Sequence, residues 1–249
     1  MAYATKELFI GWDVGGWNCD RNGASRDALV VMDDQLQVLG QPWRGNLRAL
    51  INTACGVDDF VRGMLELCSV DGAAHADASA VLGIDTPLGF SSAFRDLLMQ
   101  GKAVPMIGSS ATNPYLFRET ERFLHERGLS PMSALKDMIG SQATKGMHVL
   151  AAFFPRIRSC GVWIEGCVSA IEVYPSSAKR SSEIEDLRQR CLDSSQIEPI
   201  SWHDDERDAL TCALIAWMYR YKPESVAQPN ADTPIHEGWI FVPLDGLKQ

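Results

Sequence analysis

The side chains in this 249-residue chain whose types and spacing could do chemistry are carboxylates. Asp205 and Asp208 stand three residues apart in His203-Asp204-Asp205-Glu206-Arg207-Asp208-Ala209-Leu210. A helical pitch puts both on one side of the first turns, beside a face that must be buried. Asp13 ends the apolar run Leu8–Trp12 before Val14-Gly15-Gly16, and Asp85 ends Ala80–Ile84 before Thr86-Pro87. Glu172 lies between Ile171 and Val173 in a third such run. Carboxylates crowded at the edge of a core repel one another and are costly to bury unpaired. A hard divalent cation with oxygen ligands, Mg²⁺ or Mn²⁺, would relieve both costs. Each acid also has an ordinary reading. Asp205 and Asp208 complement a helix macrodipole, Asp13 accepts from the Gly15 and Gly16 amides, and Asp85 forms a turn before proline. Glu172 points either into the acidic site or out from an uncovered sheet face. Within the helical pair Asp208 is expected to be the inward member, since Cys212 and Ile215 continue its face, while Asp205 can cap the helix or reach water.

The elements that must position these acids follow from the hydrophobic pattern. Leu8 to Asp13 reads as a buried strand, and Ala28–Met32 with Leu36–Leu39 reads as a hairpin around Asp33-Asp34-Gln35. Phe60, Val61, Met64, Leu65 and Cys68 recur at helical spacing behind Asp58 and Asp59. Ala80–Asp85 is a further strand, Val168–Tyr174 another, and the segment from His203 to Lys222 a long helix that Asp204 or Asp205 can cap. In open sheets, active groups gather where strands run out, so Asp13 and Asp85 are expected at one crevice, on adjacent parallel strands. The stretch from about residue 90 to 155 is mostly helical in pattern and reads as an insertion, with helices expected over Arg118–Arg127 and from Ser130-Pro131 through Met138. Its cations Arg118, Arg122 and Lys145 are either phosphate contacts or members of solvated helix faces.

Composition narrows the class. With 46% hydrophobic residues the chain can bury a large core, and a net charge of -9 supplies no broad basic field for gripping long nucleic acid. Seven cysteines without CxxC pairs argue against zinc and against a secreted disulfide scaffold, so reduced thiols and a cytoplasmic setting are expected. The N-terminus carries no targeting pattern, and no apolar run reaches membrane-spanning length.

The order of these elements resembles the ribonuclease H-like superfamily. Its mixed five-stranded sheet, flanked by helices, carries acids on the first strand, the fourth strand and the last helix. Asp205-Glu206-Arg207-Asp208-Ala209-Leu210 looks like the terminal DxxDAL helix of RuvC-type resolvases, and Asp85 stands where those carry Glu. Together with Gly11–Trp17, Ile84–Gly89, Ser141–Gly146 and Glu172–Pro175, the pattern is similar over nearly the whole chain to a domain-of-unknown-function family of predicted RNase H-like nucleases. The resemblance implies one α/β domain over residues 1–249, with the helical insertion of about 90–155 between the fourth and fifth strands. It implies a metal-dependent nuclease in which Asp13, Asp85, Asp205 and Asp208 hold two Mg²⁺ or Mn²⁺ ions for phosphodiester hydrolysis. Glu172 would join the catalytic set, and Arg118, Arg122, Gln142 and Lys145 would contact a DNA or RNA substrate, small or single-stranded. Two other readings are an ATP-binding phosphotransferase of the actin and sugar-kinase type and an inactive binding protein that keeps the fold.

Overall fold

Apolar runs cut short by turn formers build the centre of the sheet. In the computed structural model, which describes residues 7–109, 112–195 and 201–248, β1 (Glu7–Asp13) is buried along nearly its whole length. β2 (Asp27–Asp33) and β3 (Val38–Gly45) form the expected hairpin. Helices α1 (Arg48–Thr53) and α2 (Val57–Leu67) lead into β4 (Ser79–Asp85). Next come α3 (Ser92–Gln100), α4 (Glu119–Glu126), α5 (Gly140–Phe153), β5 (Arg156–Ser159), β6 (Val162–Glu165) and β7 (Val168–Val173). Two further helices, α6 (Ser182–Ser195) and α7 (Asp204–Tyr221), precede the short β8 (Ile240–Phe241).

The protein is an α/β structure with a mixed sheet flanked by helices. The strand order is β3-β2-β1-β4-β7-β6-β5, with β8 beside the end of β7. β1, β4 and β7 run parallel, while β2, β3 and the β5–β6 hairpin run antiparallel to their neighbours. The sheet has eight strands where five are expected from the pattern. β5 is Arg-Ile-Arg-Ser, exposed throughout, and β8 is two residues long, so neither presents an alternating apolar signature.

Side-chain alternation along the strands divides the core into two layers. Leu8, Ile10 and Trp12 of β1 face α1, α2 and α5, whereas Phe9 faces α6 and α7. The same alternation turns Gly11 and Asp13, and in β4 Val81, Gly83 and Asp85, toward α7. Gly11 and Gly83 pair in register, and the α7 backbone lies directly on them. A Cβ at Gly11 would overlap the Ala209 carbonyl, and one at Gly83 would come within 2.5 Å of the Cys212 oxygen.

Other expectations change. The helix expected from Ser130 to Met138 is a series of turns, because Met138 takes a left-handed φ of 58° that no continuing helix allows, and α5 starts only at Gly140. The cap of α7 is His203, whose Nδ1 accepts from the Asp205 amide, while Glu206 accepts from the His203 amide. No helix among the described residues is long and apolar enough to cross a membrane. The first six residues, where the sequence shows no targeting pattern, lie outside the described residues.

Candidate functional site

β1 and β4 end together, with Asp13 directly opposite Asp85 in the parallel register. Because both strands place these residues on the α7 side, the two carboxylates meet Asp208, one turn into that helix. The three acids line one cleft of about 370 Å³. Thr86 and Gln142 share its wall, and Met132, Ile139 and Pro87 form part of its apolar rim. No hydrogen bond or ion pair reaches the side chains of Asp13, Asp85 or Asp208 from any described residue. Elsewhere in the molecule, buried carboxylates such as Asp27 and Glu121 are fully engaged.

The electrostatic consequence is large. Burial, then Asp85, Asp205, Asp208 and Asp27, pushes the Asp13 carboxyl well above the ordinary range. Burial, with Asp208 and Glu172 adding to it, lifts Asp85 to about 8. Burial also raises Asp208, although Lys179 and Arg188 pull it partly back. At neutral pH such a cluster keeps protons or takes up a cation in their place. Thr86 adds a second unusual group, a buried hydroxyl with no hydrogen-bond partner among the described residues, on a residue only 5% exposed.

Three carboxylates make a hard oxygen donor set, which fits Mg²⁺ or Mn²⁺ by its chemistry. The side chains do not close on a common point: among the described residues, no three His, Cys, Asp or Glu side chains stand together as a ready metal-holding group. Carboxylates that carry no hydrogen bonds have rotameric freedom to close around an ion.

Several residues expected at the site are engaged elsewhere. Asp205 is 8% exposed, more deeply buried than Asp208, and its Oδ2 accepts from Arg44 Nε at 2.7 Å and from the Arg26 amide at 2.9 Å. It ties α7 to β3 instead of facing the cleft, which corrects its expected place among the metal ligands. Glu172 borders the cleft but alternates onto the opposite face of the sheet with Ala170. There Arg118 grips it with both Nη atoms, at 2.5 and 2.8 Å, and the Leu88 amide donates at 2.8 Å. Burial pushes the Glu172 carboxyl upward, and Arg118 pulls it back. Glu172 is therefore a paired structural carboxylate.

The expected phosphate clamps are corrected for the same reason. Arg118, only 2% exposed, also holds Glu121 and the Glu237 carbonyl. Arg122 donates to the Phe117 carbonyl, away from the acids. Lys145 is wholly buried, so no phosphate can reach it, and its ammonium pairs with Asp27. Gln142, half-buried on α5, is the one member of the expected substrate set that lines the cleft, and its side chain has no hydrogen-bond partner among the described residues.

Asp27 is the residue that the sequence pattern hides. It has no exposure and accepts from Trp12 Nε1 at 3.1 Å, the Gly15 amide at 2.8 Å, the Leu47 amide at 2.7 Å and Lys145. The Gly15 amide thus serves Asp27, leaving Asp13 without the turn contact that would have made it ordinary. A Cβ on Gly15 would come within 2.7 Å of the Asp27 amide, so the turn needs glycine to approach this carboxylate. The only hint in the sequence is an acid at the start of an apolar strand, which also reads as a turn residue.

Fold and site together define an α/β protein whose parallel strand ends and final helix present an unpaired acidic cleft. Comparison of the chain with protein-family models, with characterised proteins and with solved structures gives no match. Geometry and chemistry alone carry the functional assignment.

Proposed function

We propose that the protein is a metal-dependent nuclease of ribonuclease H-like architecture that hydrolyses phosphodiester bonds in a nucleic acid. The observation that carries this reading is the convergence of Asp13, Asp85 and Asp208, from three different elements, on one cleft without a hydrogen bond or ion pair from any described residue. The order β3-β2-β1-β4-β7 supports the architecture, with β5, β6 and β8 as additions at the far side.

Asp13, Asp85 and Asp208 would hold Mg²⁺ or Mn²⁺. When bound, the ion supplies Lewis-acid polarisation of the phosphoryl group and offsets its charge beside the acids. The chain's own groups do the rest. The Gln142 amide supplies a neutral donor that can orient a phosphate oxygen without competing for the cation. The Glu172–Arg118 pair fixes the segment after β4 through the Leu88 amide, which holds Thr86 at the cleft wall. Asp205 and Arg44 hold the first turn of α7, and with it the height of Asp208. A cleft of this size in a chain of net charge -9 suits a single strand or a flexible end better than a long duplex. All seven cysteines are free thiols, which supports a reducing, cytoplasmic setting.

The test is cleavage of labelled single-stranded and duplex DNA and RNA in Mg²⁺, in Mn²⁺ and in EDTA. Metal-dependent products from the wild type, reduced at least a hundredfold in Asp85→Asn and Asp208→Asn, are expected. No cleavage of any substrate in either metal, or cleavage by the two variants equal to that of the wild type, would defeat the reading.

A further inference from the structure

Asp208 is a wall shared by two cavities. On its other side lies a pocket of about 320 Å³ between the Pro175–Arg180 turn, α6 and α7, lined by Lys179, Arg188 and Arg207 around an apolar floor of Trp202, Leu192 and Leu210. In a protein with an excess of acids, three cations in one small cavity are an unusual concentration. Two of them are also available. Lys179 is exposed and makes no hydrogen bond or ion pair to a described residue. Arg188 pairs with Glu185 one turn away on its own helix, and that partner is 66% exposed. Exposed pairs of this kind are weak and yield to a doubly charged anion. Arg188 keeps its orientation through a 3.1 Å bond from Nη2 to the Thr211 hydroxyl.

Cations beside an aromatic and aliphatic floor recognise a ligand with a phosphate at one end and a flat apolar ring at the other. We infer that this pocket is a mononucleotide subsite, in which Lys179 and Arg188 hold a phosphate and the Trp202, Leu192 and Leu210 floor receives the base. The inference rests on the nuclease reading for its place in a reaction. A strand crossing the acidic cleft reaches this pocket over the width of one carboxylate, so the subsite holds the nucleotide next to the cleaved bond. The pocket sits at the lower end of ordinary ligand-site volumes, which run from about 300 to 1,000 Å³, and admits one nucleotide but no base pair. It also supplies the positive charge missing from the expected clamps Arg118, Arg122 and Lys145.

The experiment measures binding without turnover. Adenosine 5′-monophosphate, adenosine and inorganic phosphate are titrated by calorimetry in EDTA into wild type, Lys179→Glu, Arg188→Gln and Asp85→Asn. The nucleotide should bind the wild type at least tenfold more tightly than either adenosine or phosphate alone. Lys179→Glu and Arg188→Gln should each weaken it at least tenfold. Lys179→Glu should keep a single cooperative melt, since its exposed side chain makes no hydrogen bond or ion pair to a described residue and bears on Asp208 only through its charge. Asp85→Asn should bind the nucleotide as the wild type does, because that acid lies outside this pocket. Absence of nucleotide binding, or equal affinity in wild type and Lys179→Glu, overturns the subsite even if the protein cleaves nucleic acid. Nucleotide binding lost in Lys179→Glu from a protein that cleaves nothing supports the pocket and removes the nuclease reading alone.

Discussion

Replacing Asp85 with asparagine should stabilise the metal-free protein, and by more as the pH rises. In the folded chain Asp85 keeps its proton up to about pH 8, whereas an unfolded chain releases it near pH 4, roughly the ordinary aspartate value. Between those values the folded state binds more protons than the unfolded one, so this group's contribution is fully present below about pH 4 and is lost as pH rises toward about 8. One proton changes stability by about 1.4 kcal/mol per pH unit, which sets a ceiling of about 4 kcal/mol between pH 5 and pH 8. Asp13 and Asp208 share the same proton uptake, so about half that ceiling, roughly 2 kcal/mol, is the expected gain from removing one carboxyl. For a chain of this size that is a rise of about 4–8 °C in Tm at pH 8 beyond the difference seen at pH 5. Thermal melts of wild type and Asp85→Asn in EDTA at pH 5, 6.5 and 8 read it directly. A difference between the two that does not change with pH would refute the account of an unpaired acidic cluster.

The remaining predictions separate site from scaffold. Mn²⁺ affinity of the wild type should rise by about tenfold per pH unit for each proton displaced between pH 6 and 8, measured by calorimetry in two buffers of different ionisation enthalpy. Lys145→Met leaves Asp27 buried without its cation and should cost about 3–5 kcal/mol in urea unfolding. Glu172→Gln should cost a similar amount, about 3 kcal/mol, by leaving Arg118 underpaired, yet change Mn²⁺ affinity less than about threefold. Asp208→Asn should do the reverse, with at least a tenfold loss of Mn²⁺ affinity and little loss of stability. Gln142→Ala should raise KM for cleavage several-fold while leaving the melting curve in place, because the side chain has no partner to lose among the described residues.

The central strands and α7 were legible because each is an apolar run bounded by turn formers, and the pairing of Asp13 with Asp85 followed from two parallel strands ending in the same way. The partners of the charged groups were not legible. Lys145 follows Ala143 and Thr144 on a helix whose polar residues look solvated, and only the tertiary approach of Gly15 and Asp27 shows that its ammonium is interior. Arg118 opens a helix rich in charge, so its role as a buried strut between Glu121 and Glu172 depends on a strand 54 residues away. Alternation in β7 did contain the answer for Glu172, since it shares the parity of Ala170 and opposes Ile171 and Val173. Two of the additional strands escaped because an exposed four-residue edge and a two-residue bridge carry too few side chains to set a period.

Both cleft acids on the sheet are preceded two positions earlier by a glycine that α7 rests upon, giving Gly11-Trp12-Asp13 and Gly83-Ile84-Asp85. The two kinds of residue therefore fail in different ways. An alanine at either glycine would push α7 off the sheet and part the acids even where every carboxylate is retained. Loss of an aspartate, by contrast, leaves the backbone seat intact. A chain stripped of these acids would keep the architecture, whereas one stripped of these glycines would lose the cleft with every acid still present.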